Sequence, residues 1–244
     1  MSGKRFKGKT CVYCASRPSA TGDHVFAREF FTAGSRGSLP QVPTCDPCNT
    51  EKSKLEHYLT AVLPFGGRHA EAHENLKEQV PGRLAKNLRL ARELNATRGR
   101  TWHLEQGLYS ETMTVPLDPE KCHQLFEYIG RGLAWYHWQV YLQSEQTSRA
   151  LFLSKFGTAY FDRIFTMNAA ARVHADLGNG TVNYIVVQAV DRRDLTIWRI
   201  KFYGGAAVSG DPNAPEEIAT EVAVVTGPTR LVNSLTQRGH ERSG

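Results

Sequence analysis

Two cysteine pairs, Cys11-Val12-Tyr13-Cys14 and Cys45-Asp46-Pro47-Cys48, bracket an Asp23-His24 dipeptide, and Asn49 follows the second pair directly. Four thiolates suit a closed tetrahedral zinc site. Each Cys-x-x-Cys turn aims two sulfurs at one point, and two such turns complete the coordination at Zn–S distances of about 2.3 Å. The 30 residues between Cys14 and Cys45 leave room for a hairpin and loops. So short a segment has little core, and a bound zinc would supply much of its folding free energy. A carboxylate, an imidazole and an amide form a different kind of set. Asp23 and Asn49 offer two oxygen ligands and leave coordination positions for water and a phosphate, as Mg²⁺ prefers. His24, with an ordinary pKa of about 6.5, stays free of metal and can accept a proton from water at neutral pH.

These residues need elements to hold them. Val25-Phe26 follows Asp23-His24 as apolar anchors of a short strand, and neighbouring strand residues point to opposite faces, giving the two side chains different approaches to one cleft. Asn49 is placed to cap a helix over Thr50–Leu59. His57, two turns further on, suits supporting or structural duty better than ligation. Pro64-Phe65-Gly66-Gly67 punctuates the chain. Helical patterns follow over 68–79 and 83–98; in the second, Leu84, Leu88, Ala91 and Asn95 share a face while Arg83, Lys86, Arg89 and Arg92 spread round the other. Beyond residue 100 the expectation is a hairpin (Thr101–Tyr109, Glu111–Leu117), an aromatic-rich helix over Pro119–Gln143 and a helix over Lys155–Ala171. Strands are expected at Thr181–Val190, Thr196–Tyr203 and Glu221–Val225. The fold class is α+β. It divides into a cysteine-stapled module (1–66), a basic helical connector (67–100), an α+β domain (101–236) and a disordered tail (237–244). His123 and His137 are left as structural or exposed.

Charge is unevenly spread. Residues 1–100 hold 17 Lys+Arg against 9 Asp+Glu, and residues 101–244 hold 13 against 15, within a net of +6 over 244 residues. A basic first half is the footprint of a module that meets phosphates. Lys52, Lys54 and Arg28 are the candidates for gripping the phosphates of a nucleic acid. The acidic balance of the second half fits a protein partner instead. No run reaches the roughly 18 apolar residues of a membrane span, and the charged start has no apolar stretch behind it, so no signal peptide is expected. The expected setting is cytoplasmic and reducing, where paired cysteines bind metal rather than form disulfides. Cys122, far from the pairs, is read as an ordinary buried thiol.

The string Cys11-x-x-Cys14, Asp23-His24-Val25, Cys45-x-x-Cys48-Asn49-x-x-Lys52 resembles an HNH (His-Me finger, ββα-metal) endonuclease. It is most similar to the zinc-stapled subgroup that includes phage endonuclease VII, a resolvase of branched DNA. The resemblance covers about the first 60 residues. It implies structural zinc on Cys11, Cys14, Cys45 and Cys48, a catalytic Mg²⁺ or Mn²⁺ held by Asp23 and Asn49, and His24 as general base in phosphodiester hydrolysis. Asn49 stands where a histidine follows the last cysteine in other members, so an oxygen-preferring cation is implied over catalytic zinc. Double-strand cutting by such a site fits a homodimer, and roles in phage defence, mobile elements or DNA processing fit the layout. The alternative is a zinc-ribbon protein that binds nucleic acid, or serves as an adaptor, without catalysis.

Overall fold

The computed structural model describes residues 3–105, 108–168, 172–208 and 218–240. After a short helix α1 (Gly3–Phe6), strands β1 (Thr21–His24) and β2 (Gln41–Thr44) pair antiparallel, with Asp23 opposite Val42 and His24 opposite Gln41. Helix α2 follows over Asp46–Val62. It starts earlier than the expected Thr50. Cys45, in extended conformation, takes the N-cap position, and Pro47 sits in the first turn, where its fixed φ and missing N–H cost nothing. Asn49 is therefore inside the first turn and is not the cap; its backbone N–H already bonds Cys45 O at 3.0 Å.

Three helices follow: α3 (Ala70–Glu78), α4 (Val80–Lys86) and α5 (Leu88–Thr97). The single helix expected over 83–98 is broken at Asn87, whose side chain instead accepts from Leu90 N and starts α5. The break turns the helix, so Leu90 and Leu94 are buried while Leu88, assigned to the inner face, is 60% exposed. A hairpin, β3 (Gly99–Glu105) and β4 (Leu108–Thr114), precedes the long helix α6 (Pro119–Trp138). Asp118 caps α6, and Gln139 ends it in the left-handed conformation, short of the expected Gln143.

The remaining strands form one antiparallel sheet in the order β5 (Gln146–Phe152), β9 (Val222–Pro228), β8 (Thr196–Phe202), β7 (Val182–Gln188), β6 (Arg172–Leu177). Both edge strands were missed: Gln146–Phe152 opens on four polar residues, whereas Arg172–Leu177 alternates polar and apolar residues and carried the strand signal. Alternation of the inner strands divides the sheet into two apolar faces. Tyr184, Val186, Trp198, Ile200, Phe202, Val222 and Val224 share a core with α6, while Val187, Ile197, Ala223 and Val225 pack with Phe161, Phe165 and Val232 of α7 (Lys155–Met167) and α8 (Thr229–His240). Helix α8 carries the chain in order through Arg238, where a disordered tail was expected. Gly239 lies so close to Leu151 and Phe161 that a Cβ there would meet them at 2.9 and 3.0 Å. Residues 241–244, and the expected helical turn over 169–171, lie outside the described residues.

The first core is continuous from the cysteine module into the sheet. Phe6 meets Trp135 edge-on at 6.3 Å, Phe26 lies 6.0 Å from both Tyr184 and Phe202, and Phe30 meets Phe202 at 4.8 Å. Polar bonds pin the same seam. Tyr203 Oη donates to Phe30 O at 2.7 Å, and Asn75 Nδ2 donates to the same carbonyl at 2.9 Å. Glu71 accepts from Thr32 of the loop after β1 and from Thr181 beside the sheet. The segment carrying Asp23 and His24 is thus fixed from below by apolar contact and at its exit by hydrogen bonds. Among the described residues, no helix is long and apolar enough to cross a membrane.

Candidate functional site

The first knuckle closes because Ala15 N–H bonds Cys11 O at 2.9 Å, with Ala15 itself in the left-handed region at φ 52°. Val12 N–H to Pro43 O (3.0 Å) and Ala20 N–H to Thr44 O (2.9 Å) stitch it to the β1–β2 hairpin. The second knuckle is the first turn of α2. Together they bring the sulfurs of Cys11, Cys14, Cys45 and Cys48 within 4.8 Å of one another, with Cys14 and Cys45 at 3.9 Å and no disulfide among them. A tetrahedron of zinc–sulfur bonds about 2.3 Å long has S···S edges of about 3.8 Å. The cluster could therefore hold a metal such as zinc with less than about 1 Å of adjustment. Burial pushes the thiols of Cys11 and Cys48 up. Burial acts on Cys14 too, but hydrogen bonds at Ser16 and Arg17 outweigh it and bring that thiol down to about 6. Among the described residues this is the one group of three or more Cys, His, Asp or Glu donors close enough to share an ion.

Asp23 and His24 lie at the end of β1, against α2. Tyr13 Oη donates to Asp23 Oδ2 at 2.6 Å, and Lys52 Nζ lies 3.0 Å from the same oxygen. Burial and the neighbouring carboxylate push the Tyr13 phenol well above its ordinary value, so it stays a donor. Lys52 also donates to His24 O at 2.8 Å and pairs with Glu56 one turn along α2. Burial works against the Lys52 charge, but Asp23 and Glu56 outweigh it and its pKa is raised. Burial pushes Glu56 up to about 7, against the pull of Lys52. The His24 ring is half-buried, with Nε2 at 2.7 Å from Gln41 Nε2 across the strand pair. Burial lowers its pKa, Asp23 opposing, which favours the neutral imidazole.

Lys52 is not where a phosphate contact would be. Its side chain is 0% exposed, so it cannot grip DNA. The reason lies in α2, where Lys52, Leu55, Leu59 and Val62 form the inward stripe, all buried. Lys54 and Arg28 are exposed; Lys54 pairs loosely with Glu51 at 2.7 Å on the surface. Asn49 opens onto a trough of about 520 Å³ that it lines with Thr50, Ser53, Lys54, His57 and Asn87. Asp23 and His24 do not line that trough. Lys52, which touches both, is buried on the inward stripe of α2 and does not line the trough either, so the structure does not bring Asp23 and His24 together with Asn49 in one cleft. Tyr13, Gln41 and Glu56 were missed from sequence, although the Lys52–Glu56 spacing of four residues on a helix was a visible signal. His137, read without a partner, bonds Tyr184 Oη at 2.9 Å, and His123 packs against the Phe152 ring at 4.4 Å.

In comparisons with known proteins the chain matches no family model, no curated protein and no solved structure.

Proposed function

We propose that this protein is an endonuclease of the HNH type that hydrolyses phosphodiester bonds in DNA with a divalent cation. The observation that carries the reading is the single ββα unit of β1, β2 and α2. It holds Asp23 and His24 at one strand end and Asn49 in the first helical turn, with four clustered cysteines clamping its loops. By chemistry, a carboxylate and an amide oxygen suit an oxygen-preferring cation, which would have to draw Asn49 from the trough towards Asp23. The polar contacts of Asp23 fall on Oδ2, leaving Oδ1 on a carboxylate that is 11% exposed, and Asn49 lines the trough on α2. Asp23 and Asn49 would hold the Mg²⁺ or Mn²⁺, which when bound would supply positive charge for the phosphate oxygens and the leaving 3′ oxygen. With the Gln41 amide turned so that its oxygen accepts from Nε2–H, Nδ1 of a neutral His24 would be the nitrogen that takes the proton of the attacking water. The trough beyond Asn49, with Lys54 and His57 on its walls, accepts the neighbouring backbone phosphates.

Purified protein incubated with supercoiled plasmid and Mg²⁺ or Mn²⁺ should nick or linearise it. EDTA should abolish cutting, and His24→Ala should slow it by about 10²–10⁴. Cutting that survives loss of His24 overturns the mechanism. A second reading, a zinc module that binds nucleic acid or a protein without catalysis, is favoured by one feature: the Lys52 ammonium already neutralises Asp23. Retained DNA binding with no cutting under any cation would select it.

A further inference from the structure

The geometry points to Lys52 as the positioning residue of the reaction, the group that sets the Asp23-His24 dipeptide at a fixed height on α2. This rests on the nuclease reading above. A lysine ammonium has three donors. Here all three are spent, on His24 O at 2.8 Å, Asp23 Oδ2 at 3.0 Å and the Glu56 carboxylate, and the side chain is wholly buried. No donor remains for substrate, and no solvent reaches the head group. Two of its acceptors belong to the dipeptide that carries the cation ligand and the base. The third, Glu56, anchors the ammonium to the helix that carries Asn49.

The consequence is geometric. A short two-stranded hairpin is weakly held by its own ladder, and Lys52 supplies a bond from the helix to both backbone and side chain of its last two residues. Tyr13 closes the other side of Asp23 Oδ2 from the first knuckle. The carboxylate is thereby held at one oxygen, Oδ2, which leaves Oδ1 for the proposed cation, and the His24 main chain is fixed so that its ring meets Gln41 rather than swinging free. Partners that orient the ligands of a metal are worth about 10–100-fold in activity or affinity when removed.

The experiment measures kcat and KM for plasmid nicking in Mg²⁺ with the full chain. Lys52→Met/Glu56→Gln removes the ammonium and one buried carboxylate together, so Glu56 is not left as an unpaired charge. Lys52→Arg keeps the charge and the donors, but its planar fork cannot sit at the single point where three acceptors meet. Circular dichroism and bound metal per chain establish that each variant is folded. The expected result is a fall in kcat of about 10–100-fold at a KM within about twofold of wild type. Lys54→Ala gives the opposite split, a raised KM at unchanged kcat. Wild-type kcat in either folded Lys52 variant, or a loss confined to KM, overturns the positioning role and leaves the nuclease standing. A wild-type protein that cuts no plasmid overturns the nuclease reading, and this role with it.

Discussion

Replacing Cys45 with serine removes one sulfur from the cluster and almost nothing else. Cys45 is buried at the N-cap of α2 and makes no side-chain cap bond, while serine is a preferred residue there, so the helix start should gain rather than suffer. What is lost is one of the four sulfurs that could hold a metal. Structural zinc on four such ligands contributes about 10–16 kcal/mol in small peptides. One quarter of that, about 2.5–4 kcal/mol, is a large share of the 5–15 kcal/mol or so that holds a domain together. At about 2–4 °C per kcal/mol for a chain of this size, the melting temperature should fall by about 5–16 °C. Thermal melts followed by circular dichroism, with and without a chelator, read the shift; elemental analysis reads the metal. X-ray absorption of the wild type should show four sulfurs at about 2.3 Å, the cluster having closed from its 3.9–4.8 Å spread. If the wild type carries no metal and melts unchanged in chelator, and Cys45→Ser melts like it, the sulfurs are a buried thiol group and the reasoning fails.

Two further predictions address how the site is held. Glu71 accepts from Thr32, Ser35 and Thr181, and although burial works against its charge, these bonds hold its carboxyl below the ordinary glutamate range. A carboxyl depressed on folding stabilises above its unfolded pKa and loses that contribution as pH falls through the folded value. Wild-type stability should therefore drop on acidification from about pH 4.5 downward. Glu71→Gln turns one acceptor oxygen into a donor facing donors and should cost about 2–4 kcal/mol at neutral pH in urea unfolding. It should also flatten that acid limb; an unchanged limb would assign it elsewhere. Gly132→Ala in α6 would place a Cβ 2.9 Å from Val25 Cγ2, beside His24. Overpacking of about 1–3 kcal/mol should outweigh the gain of up to about 1 kcal/mol in helix propensity, lowering the melting temperature. A stabilised variant would mean that Val25 yields freely.

The cysteine spacing, the Asp23-His24 strand, the helix after Cys48 and the α+β class were legible because each rests on local rules: knuckle turns, period-two alternation and a helical stripe. Such rules act over a few residues, so sequence shows them directly. The edge strand β5 was not legible, because an edge is stabilised by its neighbour and needs little apolar character of its own; β6, with its polar–apolar alternation, was legible and was missed. Leu88 and Lys52 show the same limit from two sides. A helical wheel drawn through Asn87 misassigned the buried face, and a lysine that looked like a phosphate contact proved to be an interior ion pair. The sequence by itself determined which donors exist and which turn or strand each sits on. Only the tertiary structure decided which of them meet. The burial of a charge depends on partners 28 and 29 residues away, His24 and Asp23, and on a core that joins Phe26 and Phe30 to a sheet more than 150 residues further along the chain. Desolvation and pairing are sums over neighbours in space, and the order of residues along the chain does not contain those sums until the chain has folded.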